Sequence, residues 1–148
     1  MGKRTFNFGN IHVKRGDMRM DISLRRFDIR FQRAQYYLDG QVMTDMVPRM
    51  PFNTGVFINQ TRAKSASLQG SGKVYAAFGV QGRFLYEGKV MVDELTGSPW
   101  ARKGAKKIVT EKDLQYSNPR AVPHWFEEVK RAHGKDWIKE VKQIAGGK

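Results

Sequence analysis

The fold predicted from this sequence depends on a short stretch, Val47-Pro48-Arg49-Met50-Pro51-Phe52-Asn53-Thr54-Gly55. Pro48 and Pro51 exclude a regular α-helix here because each proline fixes φ, lacks a backbone N–H donor and restricts the residue before it. Asn53 and Gly55 tolerate positive φ, so a turn is expected directly after the second proline. We therefore expect Pro48, Pro51 and Gly55 to form a structural elbow between a helix and a small sheet.

The segment before the elbow, from about Asp21 to Met46, has the pattern of an amphipathic helix. Apolar residues recur at helical spacing, and at 1.5 Å per residue the helix would have about seven turns. Gly40 lies inside it, and the low helix propensity of glycine predicts a bend or break there. Tyr36 and Tyr37 are adjacent and point to different sides. One is therefore expected in the core and the other at solvent or at a neighbouring subunit.

The segment after the elbow is rich in β-branched and aromatic residues, which favour strands. Strands are expected over residues 55–61, 74–78 and 84–88. The Ser- and Gly-rich tract Gln69–Gly72 predicts the turn of a hairpin. A further short strand is expected over residues 108–110.

The C-terminal part of the chain, from about Asn118, is predicted to be helical. Its apolar residues indicate two short helices, over residues 125–132 and 137–144, divided by Gly134. The sequence thus predicts the α+β class, with a small antiparallel sheet flanked by a long N-terminal helix and C-terminal helices.

Length predicts one domain, residues 21–148, preceded by an extended basic N-terminal arm over residues 1–20. Phe6, Phe8 and Ile11 would be apolar anchors of this arm on a partner such as a neighbouring subunit; the alternative is a frayed terminus. No apolar run approaches the roughly 18 residues that a membrane-spanning helix needs, so no membrane partner is expected.

Charge is the strongest compositional feature of the chain. It has 27 Lys and Arg residues against 14 Asp and Glu, a formal net charge of +13 at pH 7. A protein this basic is attracted to polyanions without sequence-specific contacts. The basic run is expected either to contact DNA phosphate or an acidic neighbour, or to be a solvated loop. It consists of Arg102, Lys103, Lys106 and Lys107.

The sequence contains no recognisable catalytic constellation. His12, His124 and His133 lack the spacing of metal ligands, and the chain has no cysteine. No serine has the setting of a nucleophile, and no carboxylate pair has a catalytic arrangement. Glu87 is expected to be a charge satisfied near an arginine. The prediction is a protein that is not an enzyme and that takes no metal or cofactor.

Four features in order carry a resemblance to a known family. After the long N-terminal helix come Pro51-Phe52-Asn53-Thr54-Gly55 with Phe57-Ile58-Asn59, then the stretch from Gly82 to Met91 running into Thr96–Gly104, and finally Pro123-His124-Trp125-Phe126. Together they span roughly residues 20–144. In these features the chain resembles the minor capsid proteins of tailed phages that infect Gram-positive hosts, which are related to the neck and tail-completion proteins of siphophages.

The resemblance implies a structural virion protein without catalysis. Such a subunit would be made in the host cytoplasm and assemble into a ring of about six or twelve copies at the head–tail junction. Its neighbours would be the connector or stopper and the tail terminator or tail tube. The alternative is a small basic nucleic-acid-binding module, which the charge favours, although no recognition-helix, zinc-finger or RRM-type signature is present.

Overall fold

A computed structural model describes residues 9–147, with the side chain of Ile22 excepted. The elements in chain order are β1 (Ile11–Arg15), β2 (Met18–Ile22), α1 (Arg25–Met46), a single 3-10 turn (Val47–Arg49), α2 (Val56–Ala66), α3 (Gly82–Glu87), β3 (Lys89–Asp93), β4 (Lys107–Asp113) and α4 (Trp125–Ala145). The predicted α+β class is confirmed, as are the long N-terminal helix and the helical C-terminus. The strands form two separate antiparallel hairpins, β1–β2 and β3–β4.

The core lies where α1 packs antiparallel against α4. The indole N–H of Trp137 donates to Asp45 at 2.7 Å, and the Tyr37 hydroxyl donates to Glu140 at 2.5 Å. The buried apolar side chains that form the core cluster are Val42, Met43, Met46, Met50, Ile58, Trp125, Val129 and Trp137. Burying each large side chain of this kind contributes about 1.5–3 kcal/mol, so this helix pair is the main source of stability.

Trp125 is at the centre of that core. It is fully buried, and its indole N–H donates to the Ala76 carbonyl at 2.9 Å. The rings of Phe57 and Tyr86 pack edge-on against it, with centroids 6.0 and 4.7 Å away. Because these partners come from three separate segments, Trp125 ties the middle of the chain to α4.

The predicted strand over residues 55–61 is wrong, because α2 begins directly after the elbow. Gly55 has the expected positive φ of 82°, but the next residue is helical. The buried side chains of α2 are Ile58, Thr61 and Ser65, at the helical spacing of three and four residues. Two of them are small and polar, so a pattern that counts only apolar residues misses the helix.

The predicted strand over residues 74–78 is irregular in the structure and lies along α2. The Ser65 hydroxyl accepts from the Tyr75 N–H at 3.0 Å, and the Thr61 hydroxyl accepts from the Phe78 N–H at 3.2 Å. Side-chain hydroxyls of a helix therefore satisfy this backbone in place of a neighbouring strand.

The predicted strand over residues 84–88 is also wrong, since α3 occupies it. Gly88, with φ at 68°, ends α3 in the left-handed conformation typical of a helix C-terminus, and β3 starts at Lys89. The strand predicted at residues 108–110 is confirmed as part of β4. Met91 pairs with Val109, and the register is irregular between Lys89 and Met91.

Neither glycine breaks its helix, because α1 continues through Gly40 and α4 through Gly134. The predicted division at Gly134 is therefore wrong, as is a break at Gly40. At Gly40 the missing side chain makes room for Gln69. A Cβ at Gly40 would lie 2.5 Å from Gln69 Nε2, which donates to the Tyr36 carbonyl at 3.0 Å. Glycine there leaves room for the Gln69 amide, which a methyl group would displace, and the helix tolerates the glycine.

The turn predicted over Gln69–Gly72 is present, but it closes onto α1 and does not form a hairpin. The Asp39 carboxylate, which is buried, accepts from the N–H groups of Gly70 at 2.7 Å and Gly72 at 3.0 Å. Gln35 donates to the same carboxylate at 2.7 Å. This carboxylate therefore fixes the loop after α2 against α1.

The first hairpin begins within the segment that was predicted to be an extended arm. Residues 11–22 form β1–β2, so the boundary at residue 20 falls inside β2. Phe6 and Phe8 lie outside the described residues. Among residues 9–147, no helix has the length and apolar character needed to cross a membrane.

Candidate interaction surfaces

The β1–β2 hairpin has one mainly apolar face, which also carries Arg15 and is exposed in the described chain. The register places Val13 opposite Met20 and Arg15 opposite Met18, and alternation puts Ile11 on the same face. The exposed fractions are 45% for Ile11, 50% for Val13, 69% for Met18 and 50% for Met20. Ile11, which was predicted to be a contact residue, is therefore accessible to another subunit.

The opposite face of this hairpin is polar and basic. His12 Nδ1 lies 2.5 Å from Asp21, and Arg19 Nε donates to the same carboxylate at 3.1 Å. Lys14 pairs with Arg19 across the strands. Exposed ion pairs contribute little to stability, so the ion pairs on this face add little to the stability of the hairpin.

A second surface is the loop between β3 and β4, which is organised by Asp93. This carboxylate is fully buried and accepts from the N–H groups of Leu95 at 2.8 Å, Thr96 at 3.2 Å and Arg102 at 3.2 Å. The Arg102 guanidinium donates to it at 3.0 and 3.3 Å. The Arg102 guanidinium, together with the backbone N–H donors, holds the pKa of Asp93 well below its ordinary value although burial opposes this.

The loop presents two large apolar side chains to solvent. Leu95 is 77% exposed and Trp100 is 89% exposed. The backbone beneath them is fixed, because the Asp93 N–H donates to the Ser98 carbonyl at 2.8 Å and the Trp100 N–H donates to the Ser98 hydroxyl at 3.1 Å. An exposed tryptophan on a fixed backbone is suited to binding another macromolecule.

The predicted basic contact residues of this loop divide into two groups. Arg102 is bound to Asp93, so its guanidinium has a structural partner that the sequence analysis missed. Lys107 donates to the Pro99 carbonyl at 3.1 Å and lies 5.4 Å above the Phe84 ring. Lys103 and Lys106 are exposed, and these two are the better candidates for contact with DNA or an acidic neighbour.

A third surface is an uncharged groove beside the elbow, with a volume of about 400 Å³. Its walls come from residues 51–57 with Gln60, residues 78–81 with Leu85, and residues 115–117. Pro51 and Gly55 of the predicted elbow therefore line it. Val80 lies at its lip and is 97% exposed.

The elbow itself is held by the segment that precedes α4. Asn118 Nδ2 donates to the carbonyls of Pro48 at 3.3 Å and Met50 at 3.0 Å, and the Val122 N–H donates to the Arg49 carbonyl at 3.2 Å. Pro48 therefore helps to hold the elbow in place, because its carbonyl accepts a hydrogen bond from Asn118.

Tyr36 and Tyr37 lie in different environments, but neither is in the core, so the expectation that one of them is a core residue is wrong. Tyr36 is 57% exposed, whereas Tyr37 is half-buried beside α4. The hydrogen bond from the Tyr37 hydroxyl to Glu140 raises the pKa of Tyr37. Tyr36 is the one available for a subunit contact.

A polar cluster beside Trp125 was not foreseen. Glu87 was expected to pair with an arginine, but its carboxylate lies 3.3 Å from His124 Nε2. The Tyr86 hydroxyl donates to Glu127; burial and this bond raise the pKa of Tyr86, and the same bond lowers the pKa of Glu127. The partners are far apart in sequence, so no local signal reveals them.

Among the described residues, no group of three or more potential ligands could hold a metal ion.

The motifs that carry the family resemblance contribute to these surfaces. The elbow motif and Leu85 line the groove, the Thr96–Gly104 motif forms the loop, and His124 begins α4. Comparisons of the chain with protein-family models, curated proteins and solved structures gave no match.

Proposed function

We propose that this chain is a structural subunit of a tailed-phage virion, assembled into a ring at the head–tail junction that connects the head connector to the tail. The observation that carries the proposal is the uncovered apolar face of the β1–β2 hairpin. Isolated two-stranded hairpins are marginally stable in water, and this one exposes Ile11, Val13, Met18 and Met20 together. Such a face gains stability when another subunit covers it.

The hairpins also leave backbone edges that a neighbour can use. Neither β1–β2 nor β3–β4 has a third strand within residues 9–147. Unpaired strand edges favour pairing with another chain, and a heterologous contact repeated around an axis closes into a ring. The motif resemblance supplies the particular assembly, the phage neck.

Immunogold electron microscopy tests the location. Antibody against this chain is applied to a lysate of the producing cells after prophage induction, with a lysate from cells that lack the gene as the control. We expect gold at the junction between head and tail. Unlabelled particles, with gold on free nucleic acid, would contradict the proposal and favour the second candidate.

The second candidate is a nucleic-acid-binding module, favoured by the net charge of +13 and by exposed Lys103 and Lys106. A module that works by neutralising several phosphates loses about 10³-fold or more in affinity between 50 and 200 mM salt. Fluorescence anisotropy with duplex DNA measures this slope for the wild type and for the Lys103→Glu, Lys106→Glu variant. A neck subunit tolerates the double charge reversal in particle assembly, whereas a DNA-binding module loses its function.

A further inference from the structure

The groove beside the elbow is uncharged along its whole lining, although 28% of the residues of the chain are charged. Its polar groups are amides and hydroxyls, including those of Asn53, Gln60 and Gln115. Apolar side chains lie around it, with Phe52 54% exposed and Val56 56% exposed. The groove is therefore suited to an uncharged, partly apolar occupant and not to a polyanion.

The loop between β3 and β4 carries a segment of matching character. Residues 95–101 read Leu-Thr-Gly-Ser-Pro-Trp-Ala and contain no charge. The large side chains of this segment, Leu95 and Trp100, are both more than three-quarters exposed. Since Trp100 is 89% exposed, it does not occupy the groove of its own chain.

We propose that Trp100 and Leu95 of one copy of this chain insert into the uncharged groove of a second copy. The inference rests on the proposed function in one respect, that copies of the chain assemble with one another. The contact joins two different surfaces, the loop of one subunit and the groove of the next. It is therefore heterologous and propagates around a ring.

The absence of charge in the groove and in the loop tip allows a second copy to be the occupant. Two copies that each carry a net charge of +13 repel one another wherever their basic surfaces meet. Contact between two uncharged surfaces places no like charges in the interface and desolvates no ion. The groove volume of about 400 Å³ is within the usual range for binding pockets, roughly 300–1,000 Å³.

The loop is ordered before it binds, which lowers the cost of association. The bonds from Leu95, Thr96 and Arg102 to the Asp93 carboxylate hold both ends of the segment. Lys107 fixes its middle through the Pro99 carbonyl. A tryptophan presented in this way has the properties of an interface hot spot, whose truncation typically weakens binding by about 30-fold or more.

Chemical cross-linking tests the contact directly because the chain has no native cysteine. Full-length Thr96→Cys and Val80→Cys chains, which place one thiol on the loop and one at the groove lip and keep both Leu95 and Trp100, are mixed and treated with a short bismaleimide. We expect a cross-linked heterodimer in at least about tenfold excess over the control. The control pair is Val80→Cys with Ile138→Cys, a residue on α4 that is 58% exposed.

Adding Trp100→Ser to the Thr96→Cys chain is expected to remove the excess product, with circular dichroism and the melting temperature confirming an intact fold. The same variants are also cross-linked in purified phage particles. No excess over the control in either sample overturns the inference, as does an excess that survives Trp100→Ser. Junction labelling without this cross-link refutes the contact alone, and the cross-link with unlabelled particles refutes the neck location alone.

Discussion

Asp93 is a single carboxylate on which the conformation of an exposed loop depends. Its pKa is depressed in the folded chain, chiefly by Arg102, so its contribution to stability is present above the unfolded pKa of about 3.9 and is lost as the pH falls through the folded pKa. Asp93→Asn keeps the shape but removes the charge. We expect its melting temperature to lie well below that of the wild type at pH 7.

Thermal unfolding between pH 7 and pH 3 checks this prediction. The gap in melting temperature between wild type and Asp93→Asn should narrow once the pH falls below about 4, because the Asp93 carboxylate of the unfolded wild-type chain then takes up a proton while that of the folded chain stays ionised. Asp113→Asn, at an exposed ion pair with Lys89, is the matched control and should change little. A gap that stays constant with pH would assign the loss to packing and not to the charge.

Gly88 combines a left-handed backbone with close packing, so two separate costs oppose a side chain there. Its φ is 68°, and a Cβ would lie 2.7 Å from Pro123 Cβ and 3.1 Å from the Tyr116 hydroxyl. We expect Gly88→Ala to lower the free energy of unfolding by about 2–5 kcal/mol, as measured by urea denaturation.

Gly97 is a control for the backbone cost alone. Its φ is 65°, close to that of Gly88, but nothing lies within 4 Å of a Cβ there, so a side chain would meet no steric clash. Gly97→Ala should therefore cost only the backbone term, about 1 kcal/mol. Equal losses at both positions would mean that the contact with Pro123 relaxes freely.

At the level of the elements, the two glycines inside long helices are expected to respond differently to alanine. A Cβ at Gly134 meets only Lys130 Cγ at 3.8 Å, an ordinary contact, so Gly134→Ala should stabilise the protein by about 0.5–1 kcal/mol. At Gly40 the methyl group displaces Gln69 from the Tyr36 carbonyl, and the lost bond offsets the gain in helix propensity. Urea denaturation that shows an equal gain at both sites would contradict this account of Gly40.

The elements predicted correctly from sequence are those whose stability comes from their own apolar pattern. Most of α1, both parts of α4 and the centre of β4 were found in this way. The start of α2 was not, because Val56-Phe57-Ile58 resembles a strand and its helical face continues with Thr61 and Ser65. These hydroxyls are buried because they satisfy a backbone segment about ten to seventeen residues further along the chain, which no local pattern encodes.

The candidate surfaces were predictable only in part, for a related reason. The positive φ at Gly55 follows from the sequence alone. The role of Arg102 does not, because its partner Asp93 is recognised only once the loop has closed around it. The groove likewise requires the fold, since its walls come from three segments spread between residues 51 and 117.

At the scale of the whole molecule, charge is distributed unevenly among the surfaces, so different surfaces suit different partners. The groove and the tip of the β3–β4 loop are uncharged, whereas Lys103 and Lys106 lie beside that tip. The β1–β2 hairpin repeats this division across its two faces, one apolar and one basic. A basic subunit can therefore contact its own copies through neutral surfaces while keeping its cations for polyanions or acidic neighbours.

The hairpin gives the last prediction, which separates assembly from folding. Val13 and Met20 are direct partners on the apolar face, and both are half exposed. Replacing both with lysine should change the free energy of unfolding by no more than about 1 kcal/mol, because neither belongs to the core. The same change places two charges on the face that a neighbouring subunit would cover, so it should abolish incorporation into particles.

Quantitative immunoblotting of purified particles measures incorporation, and urea denaturation of the purified chain measures stability. The matched control is Lys14→Ser with Arg19→Ser, which changes the directly paired residues on the opposite face. This control should enter particles normally, since the apolar face is intact. Normal incorporation of the lysine variant would show that the face stays open in the assembled virion, and the uncovered hairpin would then no longer support the neck proposal.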